Sequence, residues 1–315
     1  LPFILFNTKT FFGNGDLVMN KDNESKKALV LSGGGITGIA WELGILRGLE
    51  ECGVDVTNAN LIIGTSAGSI VGAQIISETS LEELYKLQLI PIEESEERQV
   101  QFNRTEFQKI MAAAILSSPD SQTARACIGK ASLSSATMSE EERQKIINSR
   151  LPNKEWNQKK KLIINAVNAR TGEWVKFDHN SSVSLEQAVA ASSAIPGIYP
   201  PTEINGEYYI DGSMSSGTNA DLAQGYNKVL VIVAEPNMIH ALMGPTMHRI
   251  SFNEELKILK ESGAKVWVIL PDENSLKAKG KNPLDVNSRA ASAKAGLKQG
   301  KILAEEVKSF WKKNN

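Results

Sequence analysis

The sequence predicts an α/β fold with a mainly parallel central sheet, and three observations carry that prediction. Two strand, glycine-loop, helix units follow one another, over Lys27 to Leu46 and Leu61 to Ile75. Short apolar runs recur downstream as further strands, whereas residues 78–150 are charged and free of strand-like runs. Successive units of this kind need a crossover between parallel strands, and the crossover helices then cover the sheet faces.

Taken in order, Ala28-Leu29-Val30-Leu31 is a short apolar strand that ends in Ser32 and three glycines, after which Ile39, Leu43 and Leu46 recur at helical spacing. Gly53 follows that helix. Leu61-Ile62-Ile63 stops at Gly64 and leads into a small-residue helix through Ile70, Val71, Gln74 and Ile75. Residues 78–150 read as a helical insertion. Its acidic clusters, Glu93-Glu94-Ser95-Glu96-Glu97 and Glu140-Glu141-Glu142, are expected to be solvated faces. Phe107, Ile110, Met111, Ala114 and Ile115 share one helix face, which is expected to pack on the main domain; a substrate-gating lid is the alternative.

The sheet resumes at Lys161 to Val167, and Arg170-Thr171-Gly172 turns the chain into Glu173 to Phe177 as a hairpin. A helix from Ser184 to Ser193 ends before Pro196, and a turn-rich stretch leads to the strand Tyr208-Tyr209-Ile210. Val229 to Val233 is a buried strand. A last strand, Val266 to Leu270, lies between a helix near Asn253–Ser262 and a long terminal helix near Asp285–Trp311. The expected organisation is one domain over 27–315, with the insertion at about 78–150 and a strand and helix extension from about 236. Residues 1–26 are expected to be an extension outside the fold, the first 18 of them leader material.

Of 315 residues, 41% are hydrophobic, and 35 Lys+Arg face 36 Asp+Glu, a formal net charge of −1. That balance excludes an electrostatic footprint for nucleic acid, and the apolar fraction is enough for a core. Two cysteines, Cys52 and Cys127, cannot staple a chain this long and are expected as free thiols in a reduced, cytoplasmic setting. Val56 to Ser77 runs 22 residues without a charge. Its Asn, Thr, Ser, Gln and Gly content would leave too many polar groups in hydrocarbon for a membrane span.

Gly64-Thr65-Ser66-Ala67-Gly68 matches the nucleophile-elbow pattern G-x-S-x-G between a predicted strand and a predicted helix. A serine on this sharp turn projects its oxygen clear of the backbone, and the helix that follows presents unpaired N–H groups to developing negative charge. Ser32-Gly33-Gly34-Gly35-Ile36-Thr37-Gly38 can aim consecutive N–H groups at one point, as an oxyanion hole requires. The same string matches the dinucleotide pattern G-x-G-x-x-G, with Asp55 near the spacing of a ribose partner. A Walker loop fits less well, since Ile39 rather than Lys follows Gly38.

A serine hydroxyl needs a base. The three histidines, His179, His240 and His248, lie in a polar turn and a Met-rich loop, where surface or packing roles are expected. Asp211-Gly212-Ser213, directly after a predicted strand, offers another base, although Asp-Gly at a strand end also serves as a plain turn.

Four motifs in order, Gly33–Gly38, Gly64–Gly68, Ala191-Ser192-Ser193-Ala194-Ile195-Pro196 and Asp211-Gly212, resemble the patatin-like phospholipase family over about Lys27 to Glu235. The resemblance implies a three-layer α/β/α sandwich and a serine lipid acyl hydrolase working through a Ser–Asp dyad. It assigns Ser66 as nucleophile, Asp211 as base, and the N–H groups of Gly33, Gly34 and Gly35 as the oxyanion hole. Gly38, Gly64, Gly68 and Gly212 belong to the loop and elbow motifs. An aspartate with an ordinary pKa of ~3.9 is a poor base for a hydroxyl, so Asp211 should be shielded. The chain departs from the family at Thr37, where Arg or Lys is usual, and at Ser213.

The expected partner is a lipid or ester substrate, with transient membrane-surface contact and no nucleic acid. The protein would be cytoplasmic and peripheral to the membrane. Candidates for an acyl trough are the helix Phe107 to Ile115 and the loop Pro236 to His248, which holds Met238, Ile239, Leu242, Met243 and Met247; core filling is the competing reading. Lys277, Lys279 and Lys281 are expected in a solvated loop. No cofactor and no metal site is called for. A histidine-dependent hydrolase and a catalytically silent lipid- or nucleotide-binding protein are the alternative functions.

Overall fold

The computed structural model describes residues 25–100, 104–135, 137–236 and 247–312. Residues 1–24 of the expected extension, and Met238, Ile239, His240, Leu242 and Met243 of the expected acyl loop, lie outside the described residues. Among the described residues the strands form a single sheet. They are β1 (Lys27–Leu31), β2 (Leu61–Gly64), β3 (Leu162–Asn168), β4 (Trp174–Phe177), β5 (Thr202–Ile204), β6 (Glu207–Asp211), β7 (Lys228–Ile232) and β8 (Lys265–Ile269). The order is β5-β6-β3-β2-β1-β7-β8, with β4 also paired to β3. Strands β3, β2, β1, β7 and β8 are mutually parallel, and β4, β5 and β6 run antiparallel to their neighbours.

The central strands are apolar on both faces because both faces are covered. Leu29, Leu31 and Ile62 point into one core, shared with helices α1 (Gly35–Glu51), α2 (Ala67–Ile75), α7 (Leu185–Ser192) and α10 (Arg289–Lys312). Ala28, Val30, Leu61 and Ile63 point the other way, against α8 (Phe252–Glu261) and a short 3-10 turn at Ala220–Ala223. The result is a three-layer α/β/α sandwich. The uncharged stretch over residues 56–77 is β2, the elbow and α2. Among the described residues no helix is long and apolar enough to cross a membrane. Both cysteines are free thiols.

Between residues 78 and 150 the structure is helical, with α3 (Leu81–Leu87), α4 (Arg104–Ser117), α5 (Ser121–Leu133) and α6 (Glu140–Arg150). Local chemistry sets two of the starts: Ser80 with Glu83 and Ser139 with Glu142 are reciprocal capping boxes. Met111 and Ala114 of α4 are buried in a third cluster with Ile128, Val167, Ile210 and Met247, so this face of α4 fills core space.

Three expectations need correction. The turn-rich stretch before β6 contains the short strand β5, whose three residues are too few to show alternation. Glu97 does not belong to a solvated acidic face: it is buried and receives Nε and Nη2 of Arg150 at 2.7 Å each. Lys279 is not in a solvated loop but ends α9 (Glu273–Lys279), capped by Asp272, and its amine is buried.

One packing contact fixes α1 closely. Gly44 and Gly48 of α1 face Gly296 and Gly300 of α10, and a Cβ on Gly48 would lie 2.3 Å from the Leu297 carbonyl oxygen. The backbones can meet at this distance only because no side chain intervenes. The helix held this way carries the glycine loop at its N-terminus.

Candidate active site

Ser66 lies between the end of β2 and the start of α2, with φ 52° and ψ −113°. A non-glycine residue in this region costs on the order of 1–3 kcal/mol and persists only where the surroundings impose it. Here they do. The Gly68 N–H donates to the Ser32 carbonyl at 2.9 Å, and a Cβ on Gly68 would lie 2.1 Å from the Leu31 carbonyl oxygen. A Cβ on Gly64 would meet the Gly68 oxygen at 2.5 Å. The elbow is thus pressed against the end of β1. The Ser66 N–H donates to Ser192 Oγ at 2.9 Å, and Thr65 Oγ1 accepts from Asn219 Nδ2 at 3.1 Å.

Asp211 ends β6, which pairs with β3, which in turn pairs with β2, so the sheet brings the aspartate beside the elbow. Ser66 Oγ donates to Asp211 Oδ2 at 2.6 Å. The Ser213 N–H donates to Asp211 Oδ1 at 2.8 Å. Gly212 follows where a Cβ would strike the Asn165 carbonyl oxygen at 2.3 Å. Burial pushes the Asp211 carboxyl up to about 6, against the opposing hydrogen bonds from Ser66 and Ser213 and the charge of Arg143. A carboxylate shielded in this way can accept a proton at neutral pH.

The glycine loop caps α1. Gly34 is extended, Gly35 has φ +62°, and a Cβ on Gly35 would lie 2.5 Å from the Pro283 carbonyl oxygen. Gly38 packs on Ala234 one turn later. The Gly33 N–H donates to the Gly217 carbonyl at 3.1 Å, so it is engaged within the fold. Among the described residues no hydrogen-bond acceptor takes the N–H of Gly34 or Gly35. Gly35 and Ser66 line one narrow recess, together with Arg143, Tyr199 and Leu284.

A cation does stand beside the loop, although not from Thr37 itself. Lys279 Nζ donates to Thr37 Oγ1 at 3.3 Å. Beneath the same loop the buried Glu42 accepts from the Ser32 N–H at 3.1 Å. Burial pushes Lys279 down to about 8, opposed by Glu235 and Glu42, and holds Glu42 well above the usual carboxylate range, opposed by Lys279.

The segment from Ala191 to Ile195, which offered no chemistry as a sequence, connects the two key residues. Ser192 receives the Ser66 N–H, the Ala194 carbonyl receives the Asp211 N–H at 3.0 Å, and Ser193 receives Arg143 Nη2. Arg143 carries no signal in the sequence, and Ser192 enters there only as part of the third motif, because only tertiary contact gives them their roles. Of the histidines, His179 is exposed in its turn, His240 lies outside the described residues, and His248 is pushed down to about 4 by burial and Arg125. Among the described residues no imidazole stands between Ser66 and Asp211, whose oxygens are in direct contact. Asp55 is exposed in a turn between α1 and β2, at the end of α1 remote from the glycine loop, and accepts from Thr57. The dinucleotide reading therefore lacks its ribose partner. Among the described residues no group of three or more His, Cys, Asp or Glu could hold a metal ion.

Comparison with known proteins gives three findings. The pattern of the family described as patatin-like phospholipase matches residues 29–223. Patatin-like phospholipase domain-containing protein 7 of Rattus norvegicus is 47% identical over 57 residues, which are 18% of this chain and 4% of that protein. Among solved structures, VipD from Legionella pneumophila aligns with a TM-score of 0.41 and 15% identity over 90% of this chain and 67% of that one. The type III effector protein ExoU aligns with a TM-score of 0.38 and 14% identity over 90% and 54%. The chain spans a small fraction of the curated relative it matches.

Proposed function

The chain belongs to the patatin-like phospholipase family, and from that premise we propose that it hydrolyses carboxylic esters of lipids with Ser66 as nucleophile and Asp211 as base. The 2.6 Å hydrogen bond from Ser66 Oγ to Asp211 Oδ2, on a strained elbow and with no imidazole interposed, carries this reading.

In the first half-reaction Ser66 Oγ attacks the ester carbonyl carbon as its proton passes to Asp211 Oδ2. The carbonyl oxygen becomes an oxyanion, for which the N–H groups of Gly34 and Gly35 are the proposed donors. The intermediate collapses, the carbon–oxygen bond to the alcohol breaks, and protonated Asp211 returns its proton to the departing oxygen. An acyl ester on Ser66 remains. Water then attacks that ester while Asp211 accepts its proton, the acid leaves, and the proton returns to Ser66 Oγ. A carboxyl held near 6 suits both directions of transfer, because neither protonation state is strongly disfavoured at neutral pH. The Ser192 and Ala194 contacts hold the two ends of the dyad.

The substrate is a lipid ester, met at a membrane surface through apolar contact rather than bulk charge. A fluorophosphonate ester tests the nucleophile: it should label the wild-type protein and leave Ser66→Ala unlabelled. Equal labelling of both would remove Ser66 from its role.

A further inference from the structure

Residues 213–219, which follow Asp211 and Gly212, touch every part of the proposed machinery. The Ser213 N–H donates to Asp211 Oδ1 at 2.8 Å, and the Gly217 carbonyl accepts from the Gly33 N–H at 3.1 Å. The Thr218 carbonyl accepts from Thr65 Oγ1 at 3.4 Å, and Asn219 Nδ2 donates back to the same Oγ1 at 3.1 Å, one residue from the nucleophile. No strand or α-helix runs through this segment to fix its shape. Its support comes from α8, on the face of the sheet opposite α2. Glu255 of α8 is fully buried and accepts from Ser216 Oγ at 2.6 Å and from Thr218 Oγ1. Ser216 Oγ itself accepts from the N–H groups of Thr218 at 3.2 Å and Asn219 at 3.0 Å. A hydroxyl has two acceptor positions, so with both filled Ser216 has only its proton left to give, and Glu255 takes it.

We infer that Glu255 is a positioning residue for the dyad: by receiving both hydroxyls it sets the course of residues 213–219, and through them the mutual placement of Asp211, the elbow and the glycine loop. The inference rests on the Ser66–Asp211 reading and adds to it a side chain that hydrogen-bonds to neither residue. Burying a carboxyl is costly unless hydrogen bonds offset it. Burial pushes Glu255 up to about 7, opposed by the hydrogen bonds from Ser216 and Thr218, while the charge of Asp221 adds to the rise. What the buried acid contributes is direction, since its two oxygens fix two hydroxyls at once. Ser216, Thr218 and Asn219 are themselves buried, so a hydroxyl released by Glu255 has no solvent to turn to. The path from Glu255 to the nucleophile runs through Thr218 or Ser216, then Asn219, then Thr65.

The test compares Glu255→Leu with Glu255→Gln in the hydrolysis of a small ester, each protein held below its unfolding transition and its active sites counted by fluorophosphonate labelling. Glu255→Leu leaves both hydroxyls without an acceptor. Its kcat per labelled site should fall by about tenfold or more while KM stays within about threefold, because the reacting atoms shift and the binding surface does not. Glu255→Gln keeps an acceptor for Ser216 and turns an amide N–H toward Thr218 Oγ1, which can receive it, so it should recover most of that loss. Amide hydrogen exchange over residues 213–219 should be faster in Glu255→Leu than in the wild type or Glu255→Gln. Thr218→Val deletes one of the two hydroxyls and leaves α8 intact. It should lower kcat in the same way but by less.

Wild-type kcat in folded Glu255→Leu would overturn the positioning role. So would equal losses in the Leu and Gln variants, or a loss carried entirely by KM. Should Glu255→Leu fail to fold, wild-type kcat in Thr218→Val would overturn it instead. Failure of the fluorophosphonate to label Ser66 in the wild type would strike the hydrolase reading, and hydrogen exchange would still decide whether Glu255 holds residues 213–219 in place.

Discussion

Ser66 Oγ and Asp211 Oδ2 are 2.6 Å apart, and Asp211 is 1% exposed at the end of an antiparallel strand. The base must be ionised to accept the serine proton, and burial holds its carboxyl at about 6. Activity is therefore expected to fall as pH drops through about 6 rather than through the ordinary aspartate range. The pH dependence of kcat/KM on a small ester checks this, and an acid limb centred near 4 would contradict the upward shift of the Asp211 carboxyl.

Ser192 supplies the oxygen that receives the Ser66 N–H at 2.9 Å. Ser192→Ala removes that anchor and leaves the strained turn less determined. A small misplacement at a reacting atom has large kinetic cost, so kcat should fall by roughly tenfold or more. Thermal unfolding should move little, since a neutral hydrogen bond contributes only about 1 kcal/mol.

Lys279 joins Thr37 from below the glycine loop and opposes the buried Glu42. Lys279→Met removes the donor to Thr37 and the cation that opposes the burial of Glu42, and should destabilise the fold by about 1–3 kcal/mol. Adding Glu42→Gln should recover part of that loss. Urea unfolding of the two single variants and the double variant measures the coupling, and strict additivity would mean that the two groups do not interact.

Gly48 lets α1 lie directly on α10. Even Gly48→Ala places a Cβ 2.3 Å from the Leu297 oxygen, so the helices must separate, at a cost of about 1–3 kcal/mol. Because α1 begins at the glycine loop, activity should fall with stability. Differential scanning calorimetry beside an esterase assay would reveal both.

Much of this arrangement was legible in the sequence, and what was legible was local. The strand, G-x-S-x-G and helix around Ser66 occupy consecutive residues, and Asp211-Gly212 directly follows its strand, so periodicity and turn chemistry reveal them. What remained hidden depends on contacts across the chain. Ser192 is 126 residues from Ser66, and Lys279 is 242 residues from Thr37. Nothing local distinguishes those side chains from solvated ones. Glu97 misled for the same reason, since an acidic run reads as surface until Arg150 is seen against it. Gly33 shows the converse limit: three consecutive glycines look equivalent, but one N–H is bound to Gly217.

The central claim is a serine and aspartate pair that works without histidine, and hydrolysis of one ester by two variants tests it directly. Replacing His179, His240 and His248 together by Gln should leave kcat within about threefold, while Asp211→Asn should lower it by roughly 10²–10⁴-fold, the usual weight of a general base. A collapse of turnover in the histidine variant with near-normal turnover in Asp211→Asn would contradict the account.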